Sequence, residues 1–588
     1  PGSGAMELRK KIIISSTIII TIIILAIAVT FIANQYVKIS YDKKEQGHVQ
    51  SEVVITRTND GVPAITASSK EDLFYALGYI HAQDRLNLIE YHRAIANGTL
   101  SHFIPNPDCE TLDRLSSIIG FTKEADLLFE KLDSEVKIQL SKYTEGINQI
   151  RHTRHFVRIA KNEWTPTDVL AILIMKEWAE AYLANTELIF PFNESKKTEI
   201  SKLFPSSKLF YFYRDDDSQY LYITHRIKNL IEQYIGHFNT GFAAHIESSM
   251  NSTDERSFTA FSYTANYNVY PGWYPVKINI ADQTISAITY TGLPFLFSFQ
   301  KGNTFFTHFT INADSQDFFL LKTRKNNNTY QYNIRGSWKE FQPVRIPDGT
   351  DRSLHTLRWI TEKGPILSDL ISSEKQSDQI LSITSVHPGP GYLKVLINAP
   401  FENDSLKMKN LILASDATLK GFLFTTEKES FKIYSGLTTT PDPDRNIISD
   451  GSRIYKPDFI KISNSRTING IDYIGSDLTT TKDVPVLKPE ILITNQIKVN
   501  KLVSLLPARK IYNENYMQEL IIDTHSGAAE LFIPVFNQIL SSTPLTSAKM
   551  TKIYFNEWDF TTRYKLQAPV IFYTTLTYMI DKTFRDEF

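Results

Sequence analysis

The chain has 588 residues, with 63 Lys and Arg against 64 Asp and Glu, a formal net charge of -1 and a pI near 7.0. That balance excludes a surface built to hold nucleic acid, which needs surplus cations to neutralise phosphates. Hydrophobic residues at 42% and aromatic residues at 12% exclude extended disorder, and the one cysteine, Cys109, excludes an internal disulfide or a Cys-based metal centre.

Pro1 to Ala5 read as a cloning remnant ahead of Met6. Arg9-Lys10-Lys11 then precede an uncharged run from Ile12 to Ala33, 22 residues long. At ~1.5 Å per residue that run reaches ~33 Å, which predicts a transmembrane anchor over residues 6–35. A cleaved signal peptide has a shorter apolar core and a small-x-small site. Ser15, Ser16, Thr17 and Thr21 dilute the run, but hydroxyls can bond back to helix carbonyls. Basic residues ahead of the span place the N-terminus in the cytoplasm and the body in the periplasm, as a single-pass protein of a bacterial inner membrane. Lys38, Lys43 and Lys44 on the far side oppose that orientation. Residues 36–50 read as a juxtamembrane stalk and 51–588 as the body.

Within the body, Glu52–Thr58 and Val62–Ala67 flank Asn59-Asp60-Gly61, which predicts a hairpin. Leu73, Leu77, Ile80, Leu86 and Ile89 recur at helical spacing, so Ser69–Asn97 is predicted helical with Gly98 as its stop. Helices follow over Thr122–Asn148 and Thr167–Leu188. From Phe258 to about Ile474 the pattern is of strands and turns. Helices return at Ile497–Leu506, Asn515–Leu540, Ala548–Tyr554 and Pro569–Phe584. Helices, then strands, then helices predict sheets between helical layers.

Catalytic signatures are sparse. His-Glu-x-x-His, Gly-x-Ser-x-Gly and Walker patterns are absent from the sequence. Gly389-Pro390-Gly391 reads as a turn and Asp215-Asp216-Asp217 as a solvated loop. Asp314 and Asp317 close a strand as a surface turn or an oxygen-ligand calcium site. His81, beside Gln83-Asp84-Arg85 on a helix, reads as a hydrogen-bonded structural histidine.

One set of motifs goes further. Asp60-Gly61-Val62-Pro63, Ala76-Leu77-Gly78-Tyr79, Ala82-Gln83-Asp84-Arg85-Leu86, Arg93-x-x-Ala96-x-Gly98-x-Leu100-Ser101 and Asp113-Arg114 occur in that order. They are followed by Trp273-Tyr274-x-Val276, Gly292-Leu293-Pro294, Asp314-x-x-Asp317, Lys363-Gly364-Pro365-Ile366, Ile522-Asp523-Thr524-His525-Ser526-x-Ala528 and Trp558-Asp559. From Glu52 to Phe588 the series resembles the penicillin acylase family of N-terminal-nucleophile hydrolases. The resemblance implies an α+β, four-layer αββα sandwich, with 51–240 similar to the α-subunit and 241–588 to the β-subunit. It implies a precursor that cleaves itself to free an N-terminal Ser, whose own amine is the base, with an Asn among the oxyanion donors.

The sequence departs from that pattern where the chemistry would sit. Gly241-Phe242-Ala243-Ala244-His245 stands where the family has Gly-Ser-Asn-Asn-Trp, and Lys420-Gly421 where it has its Gln-Asn pair. Phe242 offers no nucleophile and Gly421 no side-chain donor, so self-cleavage at Gly241–Phe242 is not expected. Thr240, Ser248, Ser249 and Ser252 lie nearby and read as loop residues. A nucleophile at Thr240 would sit ~6–7 Å from the family's strand position. Asp314 and Asp317 match the family's calcium pair, and Glu187 is the third ligand that the resemblance suggests. The expectation is a membrane-anchored, catalytically inactive member that binds or scaffolds other membrane or periplasmic proteins, with calcium as a candidate ligand and no nucleic acid. The alternative is a working amide hydrolase with a nucleophile elsewhere.

Overall fold

The computed structural model describes residues 14–27, 29, 44–153, 162–184, 218–246, 258–263, 272–311, 315–326, 329–334, 336–347, 354–360, 364–370, 379–384, 387–417, 419–426, 430–438, 459–464, 471–475, 513–515, 518, 524–563 and 565–584. The chain divides into two compact units, Pro1–His48 and Val49–Phe588. In the first, helix is described over residues 14–27 and at 29. The expected transmembrane anchor is corrected here: among the described residues no helix is long and apolar enough to cross a membrane. Thr21 Oγ1 does bond back to the Thr17 carbonyl at 2.8 Å, as hydroxyls in this run were expected to.

The second unit opens with strands β1 (Val54–Arg57) and β2 (Pro63–Ala67), paired antiparallel as the hairpin pattern predicts. Helix α1 (Lys70–Ala96) follows, capped by Ser69, whose hydroxyl accepts from the Asp72 amide. Next come α2 (Pro107–Ile119), α3 (Phe121–Lys131), α4 (Ser134–Thr153) and α5 (Pro166–Leu183). The single helix predicted over Thr122–Asn148 is two. Leu132 leaves helical geometry and the Asp133 carboxylate takes the Val136 amide, starting a new helix.

After α6 (Ser218–Leu230) the strands begin: β3 (Gly241–Ile246), β4 (Phe258–Tyr263), β5 (Trp273–Ile280), β6 (Gln283–Tyr290), β7 (Leu293–Lys301) and β8 (Thr304–Thr310). Strands at Phe318–Asn326, Thr329–Ile334, Ser337–Glu340 and Gln379–Ile383 form a separate four-stranded sheet. Gly389-Pro390-Gly391 is not the turn read from sequence but the start of helix α7 (Pro390–Asn398), with Pro at the first turn, where its missing N–H costs nothing. Past α8 (Ser405–Leu413) lie β9 (Lys420–Thr425), β10 (Ser430–Thr438), β11 (Phe459–Asn464) and β12 (Ile471–Gly475). Three further helices, Gly527–Ser542, Thr546–Glu557 and Gln567–Phe584, pack around Ile533, Phe536, Phe555, Trp558 and Phe572.

A nine-stranded sheet in the order β1-β2-β5-β6-β7-β8-β9-β10-β11 is the centre of the unit, with β12-β3-β4 as a smaller sheet. Strand alternation separates its two faces. Phe306 on β8 and Phe422 and Phe424 on β9 join the large core with α1, α4, α5 and α7, whereas Phe305, Phe309 and Leu423 pack with Ala243 and Phe261 of the smaller sheet. The described residues thus build helices, sheet and second sheet, three of the four layers that the family resemblance implies, in an α+β fold.

Four of the motifs that carry the resemblance hold this architecture together, through Asp84, Arg93, Asp113 and Tyr274. Arg57 forks onto Asp84 at 2.7 and 2.8 Å, and the Tyr274 hydroxyl donates to the same carboxylate. Hairpin, helix and sheet are clasped there. Arg93 donates to Asp168 at 2.9 Å and to the carbonyls of Asn162 and Glu163. Asp113 takes the Leu100 and Ser101 amides at 2.7 and 2.8 Å.

Candidate active site

The segment that enters β3 is held by charged groups on α5. Residues Val169 to Met175 of that helix are uncharged, and then Lys176, Glu177 and Glu180 follow, all buried. Burial of such groups is costly without partners. Lys176 Nζ donates to the Ile235 carbonyl at 2.6 Å. Glu180 accepts the Phe238 amide. Glu177 pairs with Lys420, whose Nζ also donates to Thr310 Oγ1 at 2.5 Å. Burial pushes the Glu177 carboxyl up, against the pull of the Lys420 charge. Burial pushes the Lys176 ammonium down to about 7, with Glu180 opposing.

The same frame brings the start of β3 against the β8–β9 ladder. Thr310 lies opposite Lys420, and Phe309 opposite Gly421, in the β8–β9 ladder. A Cβ on Gly241 would lie 2.7 Å from the Phe309 ring and 2.2 Å from the Ser262 carbonyl, so β3 packs on β8 with no room for a side chain at 241. The Thr310 amide donates to the Asn239 carbonyl at 2.7 Å. Phe309 and Thr310 therefore link Gly241 and Asn239 to Gly421 and Lys420. No nucleophilic atom is present at 242 and no side-chain donor at 421. His245 bonds the cross-strand Thr259 through Nδ1 at 2.7 Å.

Upstream of Gly241 the chemistry is richer. Asn239 is fully buried with φ at +56°, and neither its Nδ2 nor its Oδ1 meets a hydrogen-bond partner among the described residues. Thr240 Oγ1 is likewise buried, with no hydrogen-bond partner among the described residues. The sequence reads Thr240 as a loop residue and assigns no role to the side chains of Asn239, Lys176, Glu177 and Glu180. The Lys-Glu pair ending an uncharged helical run was the available signal. Ser248, Ser249 and Ser252 lie outside the described residues. Of the expected calcium ligands, Glu187 and Asp314 also lie outside them. Asp317 uses its backbone to bond Thr384 in both directions, its amide donating to the hydroxyl at 2.9 Å and its carbonyl accepting the Thr384 amide at 3.1 Å.

The family model for penicillin amidase matches residues 52–425. The chain belongs to the penicillin amidase family. The match ends at Thr425, so the motifs near Asp523 and Trp558 stand outside it. Acyl-homoserine lactone acylase QuiP of Pseudomonas fluorescens is 25% identical over 350 residues, 55% of this chain and 42% of that protein. The Pseudomonas syringae pv. syringae protein of the same name is 23% identical over 374 residues, 60% of this chain and 44% of the relative. The chain therefore spans less than half the length of these relatives. Penicillin acylase 2 proenzyme of a Pseudomonas species is 36% identical over 96 residues, 16% of this chain and 12% of that one. The thermostable penicillin G acylase from Alcaligenes faecalis is similar with a TM-score of 0.42 and 14% identity, covering 55% of this chain and 60% of its own.

His81 bears out the structural reading. It is buried between Tyr143 OH at 2.7 Å and Thr289 Oγ1 at 2.9 Å, and burial holds its pKa down to about 3. A base whose folded pKa is lowered binds fewer protons in the folded state, so stability falls as pH drops from about 6.5 to about 3. The full slope is ~1.4 kcal/mol per pH unit. His81→Gln is expected to remove about one proton from the pH dependence of unfolding free energy between pH ~6 and ~4. Urea titrations across that range check this, and an unchanged slope counts against a neutral buried His81.

Proposed function

We propose that the chain is an amide hydrolase of the acylase class, cleaving the linear amide of an N-acylated compound with Thr240 Oγ1 as nucleophile. The observation that carries this reading is that hydroxyl, buried at the mouth of β3 without a partner among the described residues, one position after Asn239, whose carbonyl receives the Thr310 amide. The family membership and the names of the relatives support the working hydrolase over a purely scaffolding role. In the reaction, Oγ1 bonds to the amide carbon, its proton passes to the departing amine, and water then releases the acyl group from the ester. On a panel of chromogenic phenylacetyl and longer-chain acyl amides, wild type should turn over. Thr240→Val should lose at least ~1,000-fold, because the covalent route is gone, and Phe242→Leu should retain turnover. A silent wild type overturns the proposal.

Phe242 and Gly421 favour a second reading, in which the chain keeps the fold and binds an acyl compound or a partner protein without cleaving it. Binding of acyl amides by calorimetry, with no turnover, is its expected signature.

A further inference from the structure

The separate four-stranded sheet runs on past its fourth strand. Gln379–Ile383 pairs with Phe318–Lys322 and ends opposite Lys322. Beyond that point Thr323–Asn326 is paired on one side only, by Thr329–Tyr332, and Ser337–Glu340 completes a three-stranded blade. The inner part of the blade is fixed by Phe319, Leu321, Tyr332 and Ile334, which pack with Ile366 and Ile380. Between Phe318 and Phe341 the sequence holds five basic residues, Lys322, Arg324, Lys325, Arg335 and Lys339, against one acid, Glu340, although the whole chain is balanced in charge. Lys322, Arg324 and Lys325 are exposed, and none of the three meets a carboxylate among the described residues.

Strand alternation and register sort these side chains onto two faces. Lys322 and Arg324 share one face with Trp338, because Gln331 lies opposite Arg324 and Asn333 opposite Trp338. Lys325 and Lys339 share the other with Tyr330, which lies opposite Lys325. Each face thus carries two cations and one ring. The Arg324 guanidinium stands 4.1 Å from the Trp338 ring centre and its Nε donates to Gln331 Oε1 at 2.9 Å. Lys325 Nζ lies 5.6 Å from the Tyr330 ring centre. A folded partner would cover one face of such a blade. Both faces here have the same equipment, so the occupant surrounds the end of the blade, as a layer of lipid headgroups does. Rings with a polar edge and long cationic side chains settle in that layer, and an anionic leaflet attracts the cations. We propose that the blade enters the headgroup layer of an anionic lipid bilayer with its Asn326–Thr329 end leading. This docking needs no membrane-crossing helix, and neither Thr240 nor amide turnover enters it.

The test is a vesicle titration of the full chain with Thr329→Cys carrying an environment-sensitive fluorophore. Thr329 is exposed, and Cys109, the one native thiol, is buried and stays unlabelled. The fluorophore reports the end of the blade alone, so vesicle contact by other parts of the chain does not enter the signal. Vesicles of phosphatidylcholine with about one-third phosphatidylglycerol should shift the emission to the blue, pure phosphatidylcholine should not, and high salt should reverse the shift. Each cation near an anionic leaflet strengthens binding roughly five-fold. Lys322→Gln/Arg324→Gln/Lys325→Gln should therefore raise the lipid concentration at half-change on the order of 100-fold. Lys131→Gln/Lys407→Gln/Lys549→Gln removes the same charge from exposed sites elsewhere and should leave the half-change in place. The proposal is overturned by an emission that does not move, by an equal shift on neutral vesicles, or by a control triple that weakens binding as much as the blade triple. It is also overturned if a soluble acidic polysaccharide gives the same shift without vesicles, since the partner would then be a polyanion and not a lipid surface.

Discussion

Lys420→Met should destabilise the protein by about 3–5 kcal/mol, the usual cost of stranding one member of a buried ion pair. The Lys420 side chain is 1% exposed and that of Glu177 8%. Without the ammonium, Glu177 keeps a desolvated carboxylate close to Glu180, a like charge that already acts to raise its pKa. Thr310 Oγ1 also loses its donor. The carboxyl, already pushed up by burial, rises further and can escape by taking a proton. A raised folded pKa on an acid lets the folded state bind the extra proton, so the mutant's deficit should shrink as pH falls. Lys420→Met/Glu177→Met should recover most of the loss, since a buried pair replaced by apolar groups of similar volume is often neutral. Urea unfolding at several pH values measures all three. A single-mutant loss below ~1 kcal/mol means that the pair is not buried as described.

Gly78→Ala should cost about 3 kcal/mol or more, although Gly→Ala inside a helix is otherwise worth up to ~1 kcal/mol in the opposite direction. Helices α1 and α4 cross with backbone against backbone. A Cβ on Gly78 would lie 1.9 Å from the Tyr143 carbonyl oxygen, and one on Gly146 would lie 2.0 Å from the Tyr75 carbonyl oxygen. Neither obstacle is a side chain that can rotate away. Separating the helices would open the contacts of Leu77, Ile80, Leu140 and Ile147 in the core, and would stretch the bond from His81 to Tyr143. Thermal unfolding should show Gly78→Ala and Gly146→Ala each well below wild type. A neutral or raised midpoint at either position refutes the close crossing.

Much of the helical frame was legible in the sequence. Apolar residues at helical spacing predict α1 nearly to its ends, and the order of the family motifs places the chain in its family. Periodicity failed where a polar side chain redirected the backbone, as Asp133 does between α3 and α4. At the N-terminus the uncharged run predicts a membrane span, whereas among the described residues no helix is long and apolar enough to cross a membrane. Gly389-Pro390-Gly391 misled because the same residues start helices and make turns. The choice depended on Asp416, 24 positions away, whose carboxylate takes the Tyr392 amide at 2.8 Å.

What the sequence alone determined about the site is covalent identity: Phe242 has no hydroxyl, Gly421 has no side chain, and Thr240 has a hydroxyl. These are properties of single residues and need no neighbours. Only the tertiary structure decided that Lys176 and Glu180 grip the entry to β3, that Lys420 closes on Glu177 from 243 positions away, and that Asn239 is buried with neither amide atom partnered among the described residues. Desolvation and hydrogen-bond partnership belong to the space around an atom. That space is filled here by chain segments far apart in sequence.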